Sequence, residues 1–166
     1  MAEPSPPVRS PEPMRLPDGR EVTGRPLLPD SWRPLAAGRC ELLATRCPRC
    51  AALTFPTAQI CPRCWNRDAL TAEAVPEPGT VYAISTVRTG EPGIEAPYRI
   101  GYADFAGGLR ICGRFTGPEV DVNEAVEVVV AVLREEPEAP LLGWAFRKAA
   151  FPEPAIPEAA LPKTGA

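Results

Sequence analysis

Histidine does not occur anywhere in the 166-residue chain. Because histidine is the usual general base near neutral pH, its absence excludes Ser-His and Cys-His nucleophile pairs. No apolar run approaches the roughly 18 residues that a membrane-spanning helix needs. The N-terminus is rich in Pro and Glu, whereas a signal peptide begins with a basic and then an apolar run. These absences predict a cytoplasmic protein without membrane contact and without catalytic machinery of its own.

Positive charge is also scarce, since 18 Lys and Arg face 21 Asp and Glu for a net charge of −3. A chain of this sign is a poor general binder of nucleic acid. The exception is the stretch 39–75, where five arginines face three acidic residues and leave a balance of +2. This local surplus coincides with the cysteine-rich part of the chain.

Proline supplies 23 residues, and nine of them fall in the first 38 positions. Apolar residues are sparse at the N-terminus, so residues 1–13 are predicted to be disordered. Asp18-Gly19 predicts either a small hairpin or a loop, and a short helix is predicted over 31–38, ended by Gly38. Composition divides the chain into a Pro-rich arm at 1–30, a short helix and cysteine-rich unit at 31–78, a strand-rich unit at 79–150, and a flexible or partner-binding tail at 151–166.

Two identical knuckles, Cys47-Pro48-Arg49-Cys50 and Cys61-Pro62-Arg63-Cys64, are separated by ten residues. Each Cys-x-x-Cys turn directs two sulfurs at one centre, and two such turns complete a tetrahedron around zinc. Closed coordination leaves no position for a reacting water, so Cys47, Cys50, Cys61 and Cys64 are predicted to hold a structural zinc. The same sulfurs could hold iron and carry electrons. Disulfides are the alternative expected in an oxidising compartment.

The residues around the knuckles are candidates for binding. Arg49, Arg63 and Arg67 are candidates for docking phosphates, for which the guanidinium fork has the right geometry, and Trp65 could stack on an aromatic ligand. The arginines could instead merely offset the thiolate charge, and Trp65 could cover the apolar side of the ribbon.

Positions beside and outside the knuckles carry simpler predictions. Ala51 and Trp65 follow the two knuckles at a position that often holds Gly because the backbone there is left-handed, which predicts slight strain. Cys40 and Cys112 lie outside the knuckles and are predicted to pack in the core as small apolar residues.

The unit 79–150 contains five segments rich in Val, Ile, Tyr and Thr, bounded by Gly and Pro. They are predicted as strands at 80–89, 98–105, 109–115, 126–134 and 141–148. Five short strands leave the fewest exposed edges by curling closed, which predicts a barrel. The longest gap separates the third and fourth strands, as in an OB-type Greek-key barrel.

The order of features from Trp32 to Lys148 resembles that of the zinc-ribbon/OB-fold acyl-CoA-associated proteins. The resemblance rests on the two knuckles together with Phe55-Pro56, Gly79-Thr80-Val81-Tyr82 and Ala96-Pro97-Tyr98. It implies a mainly β protein in which an N-terminal rubredoxin-like zinc ribbon precedes a five-stranded OB-fold barrel, with Pro-rich flexible ends. It also implies zinc on the four matching cysteines, and it makes Arg49, Arg63, Trp65 and Arg67 the candidate contacts for CoA or for a partner. No catalytic residue is carried over, because the chemistry of this family belongs to a partner enzyme.

The resemblance further implies a non-catalytic accessory subunit that assembles with a thiolase-like enzyme, often encoded nearby, that acts on acyl-CoA. The enzyme could be a CoA-dependent acyltransferase, a thiolase or a retro-aldolase. A single-stranded nucleic-acid binder is the alternative, since OB barrels and zinc ribbons both serve that function. The stretch 79–150 opposes it with seven basic against ten acidic residues. A rubredoxin-like electron carrier is the third hypothesis.

Overall fold

The computed structural model describes residues 12–150 of the chain. The predicted disorder of residues 1–13 and the predicted mobile tail therefore lie almost wholly outside the described residues. The strands are β1 (Met14–Arg15), β2 (Glu21–Val22), β3 (Arg25–Pro26), β4 (Trp32–Pro34), β5 (Cys40–Arg46), β6 (Leu53–Thr54), β7 (Thr71–Ala74), β8 (Gly79–Val87), β9 (Tyr98–Phe105), β10 (Leu109–Phe115), β11 (Ala125–Arg134) and β12 (Leu141–Lys148). No helix within residues 12–150 is long and apolar enough to cross a membrane.

Strands β8 to β12 form a closed five-stranded barrel. Their order is β10-β9-β8-β11-β12, and β10 returns to β12 to close the sheet. Neighbouring strands are antiparallel except for this closing pair, which is parallel. The barrel is an OB fold, as the sequence predicted. The five predicted strands are confirmed, because each observed strand begins and ends within two residues of its predicted bounds.

The barrel interior is filled by side chains that alternate along the strands. Val126 and Val130 of β11 have almost no exposed surface, as expected for β-branched residues on an inward-facing strand. Phe146 of β12 lies between two other rings, with centroids 5.8 Å from Phe105 and 5.4 Å from Phe115. These three rings pack at tilted angles and form the centre of the core.

Strand β5 is the centre of the cysteine-rich unit and pairs with β4, β6 and β7. The predicted helix over 31–38 is wrong. The chain instead forms a 3-10 turn at Pro29–Ser31, then β4, and a second 3-10 turn at Ala36–Gly38. Trp32, which is only 3% exposed, donates its indole N–H to the Leu27 carbonyl at 2.6 Å. This anchor and the pairing with β5 hold the segment extended.

The segment before Trp32 is more ordered than its proline content suggested. Strands β1 and β2 pair across Asp18-Gly19, which confirms the predicted hairpin. Leu16 in this hairpin is buried in the core. Strand β3 then adds in parallel to the start of β12, and the Leu27 N–H donates to the Leu142 carbonyl at 2.7 Å. No sequence pattern predicts β3, because this strand is two residues long and contains Pro26.

The ribbon packs directly against the barrel. The Phe55 ring meets the Trp144 ring edge to face, with centroids 5.2 Å apart. The Leu53 side chain packs against Gly107 in the β9–β10 turn. Any larger residue there would clash, because a Cβ at position 107 would lie only 2.8 Å from the Leu53 Cδ2. The two units therefore share an apolar contact as well as a covalent link.

A buried ionic network also joins the two units. Glu127 of the barrel, whose side chain is 5% exposed, accepts from Nε of Arg147 at 2.9 Å and lies 3.7 Å from Nε of Arg39. Arg39 donates to Glu77 at 2.7 Å, and Glu77 also accepts from the backbone N–H of Val128 at 3.1 Å. Burial raises the pKa of the Glu77 carboxyl, against the effect of the Val128 and Arg39 donors. Because Arg39 and Glu77 flank the ribbon, the network fixes the ribbon relative to the barrel.

Candidate metal centre

Four thiols converge on one point at the tip of the ribbon. Cys47 and Cys50 lie in the turn between β5 and β6, and Cys61 and Cys64 lie in the connection between β6 and β7. All four Sγ atoms lie within 4.8 Å of one another. The structure thus brings together all four of the predicted metal ligands.

The distances between sulfurs suit a tetrahedral ion. The Sγ atoms of Cys47 and Cys64 are 3.6 Å apart, and those of Cys50 and Cys61 are also 3.6 Å apart. Four sulfurs at about 2.3 Å from a zinc ion stand about 3.8 Å from one another. Such spacing is far longer than the roughly 2.05 Å of a disulfide bond. The cluster therefore fits a zinc ion.

Each knuckle is closed by the same type of backbone hydrogen bond. The Ala51 N–H donates to the Cys47 carbonyl at 2.9 Å, and the Trp65 N–H donates to the Cys61 carbonyl at 2.9 Å. Ala51 has φ 58° and Trp65 has φ 59°, so both occupy the left-handed region that favours Gly. The predicted backbone strain is therefore present at both knuckles.

Backbone N–H groups near the thiols affect their pKa values. Burial opposes ionisation of Cys47, but backbone N–H groups of Cys50 and Arg49 and the adjoining thiols bring its pKa down to about 6. Cys61 has a lowered pKa for the same reasons, burial being outweighed by the N–H groups of Cys64 and Arg63. The Asn66 N–H lowers the pKa of Cys64, yet burial and the other thiols raise it to about 12. Neighbouring thiolates repel, so a cation is needed for all four to ionise together.

One further side chain at the cluster was missed by sequence reasoning. The Asn66 amide nitrogen lies 3.8 Å from the Cys47 sulfur and donates to the Asp68 carbonyl at 2.7 Å. An amide donor beside a metal thiolate tunes its charge and fixes its orientation. Its place two residues after Cys64 was the only sequence signal for this contact.

The predicted binding residues lie around the tip of the ribbon. Arg49, Arg63 and Arg67 are all exposed, and none of them forms a salt bridge within the described part of the chain. Arg46 differs, since it pairs with Glu73. The Trp65 side chain is 77% exposed, so the interpretation that it covers the apolar side of the ribbon is wrong.

The two cysteines outside the cluster have different environments. Cys40 has no exposed surface, as predicted, and burial strongly raises the pKa of its thiol. Cys112 is exposed, so its predicted place in the core is wrong. It alternates with the buried Ile111 along β10 and therefore points away from the barrel interior.

These features define the class of protein as a rubredoxin-like zinc ribbon joined to an OB-fold barrel. Residues 36–70 match the family model described as the rubredoxin-like zinc ribbon domain of ChsH2, and residues 72–131 match the model for the ChsH2 C-terminal OB-fold domain. The chain belongs to this family, and both the predicted fold and the predicted resemblance are confirmed.

Two curated relatives carry the same name. The chain is 33% identical to the benzoylsuccinyl-CoA thiolase subunit BbsA of Thauera aromatica over 126 residues, covering 72% of this chain and 85% of the relative. It is 32% identical to the BbsA subunit of Geobacter metallireducens over 123 residues, covering 70% and 81% respectively. These relatives are named as thiolase subunits.

A solved structure has the same fold. The chain matches one described as Ltp2-ChsH2(DUF35) aldolase with a TM-score of 0.52 and 23% sequence identity, over 65% of this chain and 84% of that one. Its similarity supports the ribbon-and-barrel architecture.

Proposed function

We propose that this protein is a non-catalytic accessory subunit that assembles with a thiolase-like enzyme acting on acyl-CoA. The partner would be a thiolase, a related acyltransferase or a retro-aldolase. The observation that carries the proposal is the pairing of a four-cysteine ribbon with an OB barrel in a family whose relatives are named as thiolase subunits.

The metal centre has a structural role in this proposal. Cys47, Cys50, Cys61 and Cys64 hold one zinc ion as four thiolates, which fills its coordination and leaves no site for substrate. The strands β6 and β7 of the ribbon are only two and four residues long. Units this small bury little apolar surface, so the metal supplies the stability that the core cannot.

The exposed tip of the ribbon is the proposed contact surface. Trp65, Arg49, Arg63 and Arg67 surround the metal centre and face solvent. Tryptophan and arginine are the residues most enriched among those that dominate binding energy at interfaces. These four residues contact the partner enzyme or the CoA group that it binds, since guanidinium groups pair with carboxylates and phosphates alike.

Co-purification tests the proposal. The full chain, tagged and expressed with the product of the adjacent gene, is expected to bring down a larger enzyme in constant proportion. Thiolytic or retro-aldol activity toward acyl-CoA is expected from the complex and not from this chain alone. A chain that stays alone under these conditions, or that shows the activity without a partner, would contradict the proposal.

A further inference from the structure

The barrel closes through a short seam. Strand β10 pairs with β9 at seven positions but with β12 at only two, Arg114↔Ala145 and Phe115↔Phe146. Before Arg114 the strands β10 and β12 diverge, and the Trp144 indole N–H bridges the gap to the Cys112 carbonyl at 3.0 Å. Within residues 12–150, the stretch of β10 before Arg114 therefore pairs with a strand on its β9 side alone. Such a strand edge is a template for another extended chain.

An apolar groove of about 560 Å³ lies over this seam. This volume falls in the range of about 300–1,000 Å³ that is usual for ligand sites. It is lined by the two residues that follow β3, by Ile94, and by residues of β9, β10, β11 and β12. Six of the residues that line it are Leu28, Ile94, Ile100, Cys112, Leu133 and Trp144.

Two of these groove residues are unusually placed for apolar side chains. Leu28 is 43% exposed and has φ 48°, a left-handed conformation that is uncommon for a residue other than Gly. Cys112 is also exposed and lines the same groove. Exposed apolar side chains gathered in one concave surface indicate a contact site.

One cation of the groove is available to an incoming carboxylate. The Arg114 guanidinium lies 4.3 Å from the centroid of the Tyr98 ring and forms no salt bridge with any residue of 12–150. Arg134, by contrast, is already paired with Glu91 at 2.7 Å. The groove therefore favours an occupant that is apolar along its length and carries a negative charge near Arg114.

Two occupants from this chain fit poorly. The C-terminal residues 151–166 contain four prolines, which cannot donate to a neighbouring strand. A second copy of β10 would bring Arg114, which has no salt bridge among residues 12–150, beside an arginine of the other copy. β10 itself contains no acidic residue to offset it, and Asp104 of β9 already pairs with Arg110. Like charges on adjacent strands are destabilising. An extended segment of another protein meets neither obstacle.

We propose that an extended, apolar, carboxylate-bearing segment of the partner enzyme adds as a strand to β10 and fills this groove. Its backbone pairs with the groups of the β10 edge before Arg114 other than the Cys112 carbonyl, which Trp144 already holds. Its alternate side chains enter the groove, and its carboxylate meets Arg114. This inference rests on the proposed function, because it names how the same partner is held.

Cys112 provides a natural reporter for the groove. In the free, zinc-loaded full chain, N-ethylmaleimide is expected to label Cys112, since Cys40 is buried and the other four cysteines hold the metal. In the purified complex, the labelling rate of Cys112 is expected to fall by about tenfold or more, because an interface of standard size excludes the reagent. Mass spectrometry of the peptides identifies the labelled residue.

A charge variant supplies a second measurement. Cys112→Glu places a carboxylate beside the incoming one and is expected to weaken capture of the partner by about tenfold. Val122→Glu, at a residue 47% exposed in the β10–β11 loop, is the matched control and should capture normally. Both variants should retain zinc and the thermal midpoint of the parent.

The outcomes separate the two proposals. A complex that forms while Cys112 remains fully reactive overturns the groove proposal alone. Slow labelling of the free chain that becomes fast when residues 151–166 are deleted also overturns it, because the tail would then be the occupant. Failure to form any complex overturns the proposed function and the groove proposal with it.

Discussion

Ala51 and Trp65 occupy equivalent positions in the two knuckles and share a left-handed backbone, yet their side chains differ greatly in size. Either turn needs only the backbone N–H that closes it. Gly would be less strained than Trp at position 65. Because the Trp65 side chain is 77% exposed, its ring adds little to the packing of the fold. The metal centre therefore requires only the left-handed backbone that both residues share. The large exposed ring of Trp65 is instead suited to an interface with another molecule.

Replacing Ala51 with Gly tests the strain at the first knuckle. Ala51→Gly is expected to stabilise the zinc-loaded chain by about 1 kcal/mol, because Gly adopts positive φ without a Cβ clash. Ala52→Gly, one residue along where φ is not positive, is the control and should destabilise through added freedom of the unfolded chain. Urea unfolding of both variants measures the difference, and equal effects would contradict the strain.

Replacing Trp65 with Ala tests the exposed tip. Trp65→Ala is expected to leave the zinc content and the thermal midpoint unchanged, because the ring is mostly exposed. It is expected to weaken capture of the partner by about tenfold or more, the usual effect of losing a central interface aromatic. Val122→Ala, at another exposed apolar residue, should bind normally. A Trp65→Ala chain that binds as tightly as the parent would exclude the tip from the interface.

Among individual residues, the four cysteine ligands could be predicted from the sequence, but the environments of the residues outside the cluster could not. Two identical knuckles ten residues apart fix the identity of the sulfur ligands from spacing alone. The prediction for Cys112 is wrong because only one face of β10 packs into the barrel, and the register that turns Ile111 inward turns Cys112 outward. A single sequence does not reveal that register.

Among the elements, the barrel strands follow from the sequence far better than the segment before the ribbon. Runs of β-branched residues bounded by Gly and Pro define β8 to β12 closely. The expected helix over 31–38 failed because its short apolar stretch pairs with β5 and is anchored by Trp32. Long-range pairing of this kind overrides local propensity.

The link between ribbon and barrel is tested by removing one charge of its network. Glu127→Ala is expected to destabilise the zinc-loaded chain by about 3 kcal/mol, because it leaves Arg147 without its buried partner and leaves Arg39 with Glu77 alone. Glu138→Ala, at an exposed residue without a salt bridge among the described residues, is the control and should change stability by less than about 0.5 kcal/mol. Urea unfolding measures both. Equal stability of the two variants would contradict a structural role for the network.

For the whole molecule, charge opposes the nucleic-acid hypothesis. The barrel sequence carries a balance of −3, and the aromatic side chains Tyr82 and Tyr98 already lie beneath Arg110 and Arg114. Fluorescence anisotropy with a labelled 20-mer oligonucleotide is therefore expected to show no binding at low micromolar protein and physiological salt. Tight binding that weakens steeply as salt rises would contradict the accessory-subunit account.

The measurement that tests the central claim most directly is metal analysis of the freshly purified, folded chain. One zinc ion per chain is expected, with no iron absorption, and its removal by a chelator should unfold the ribbon and abolish capture of the partner. A folded chain without metal, or one with disulfides between Cys47, Cys50, Cys61 and Cys64, would contradict the account.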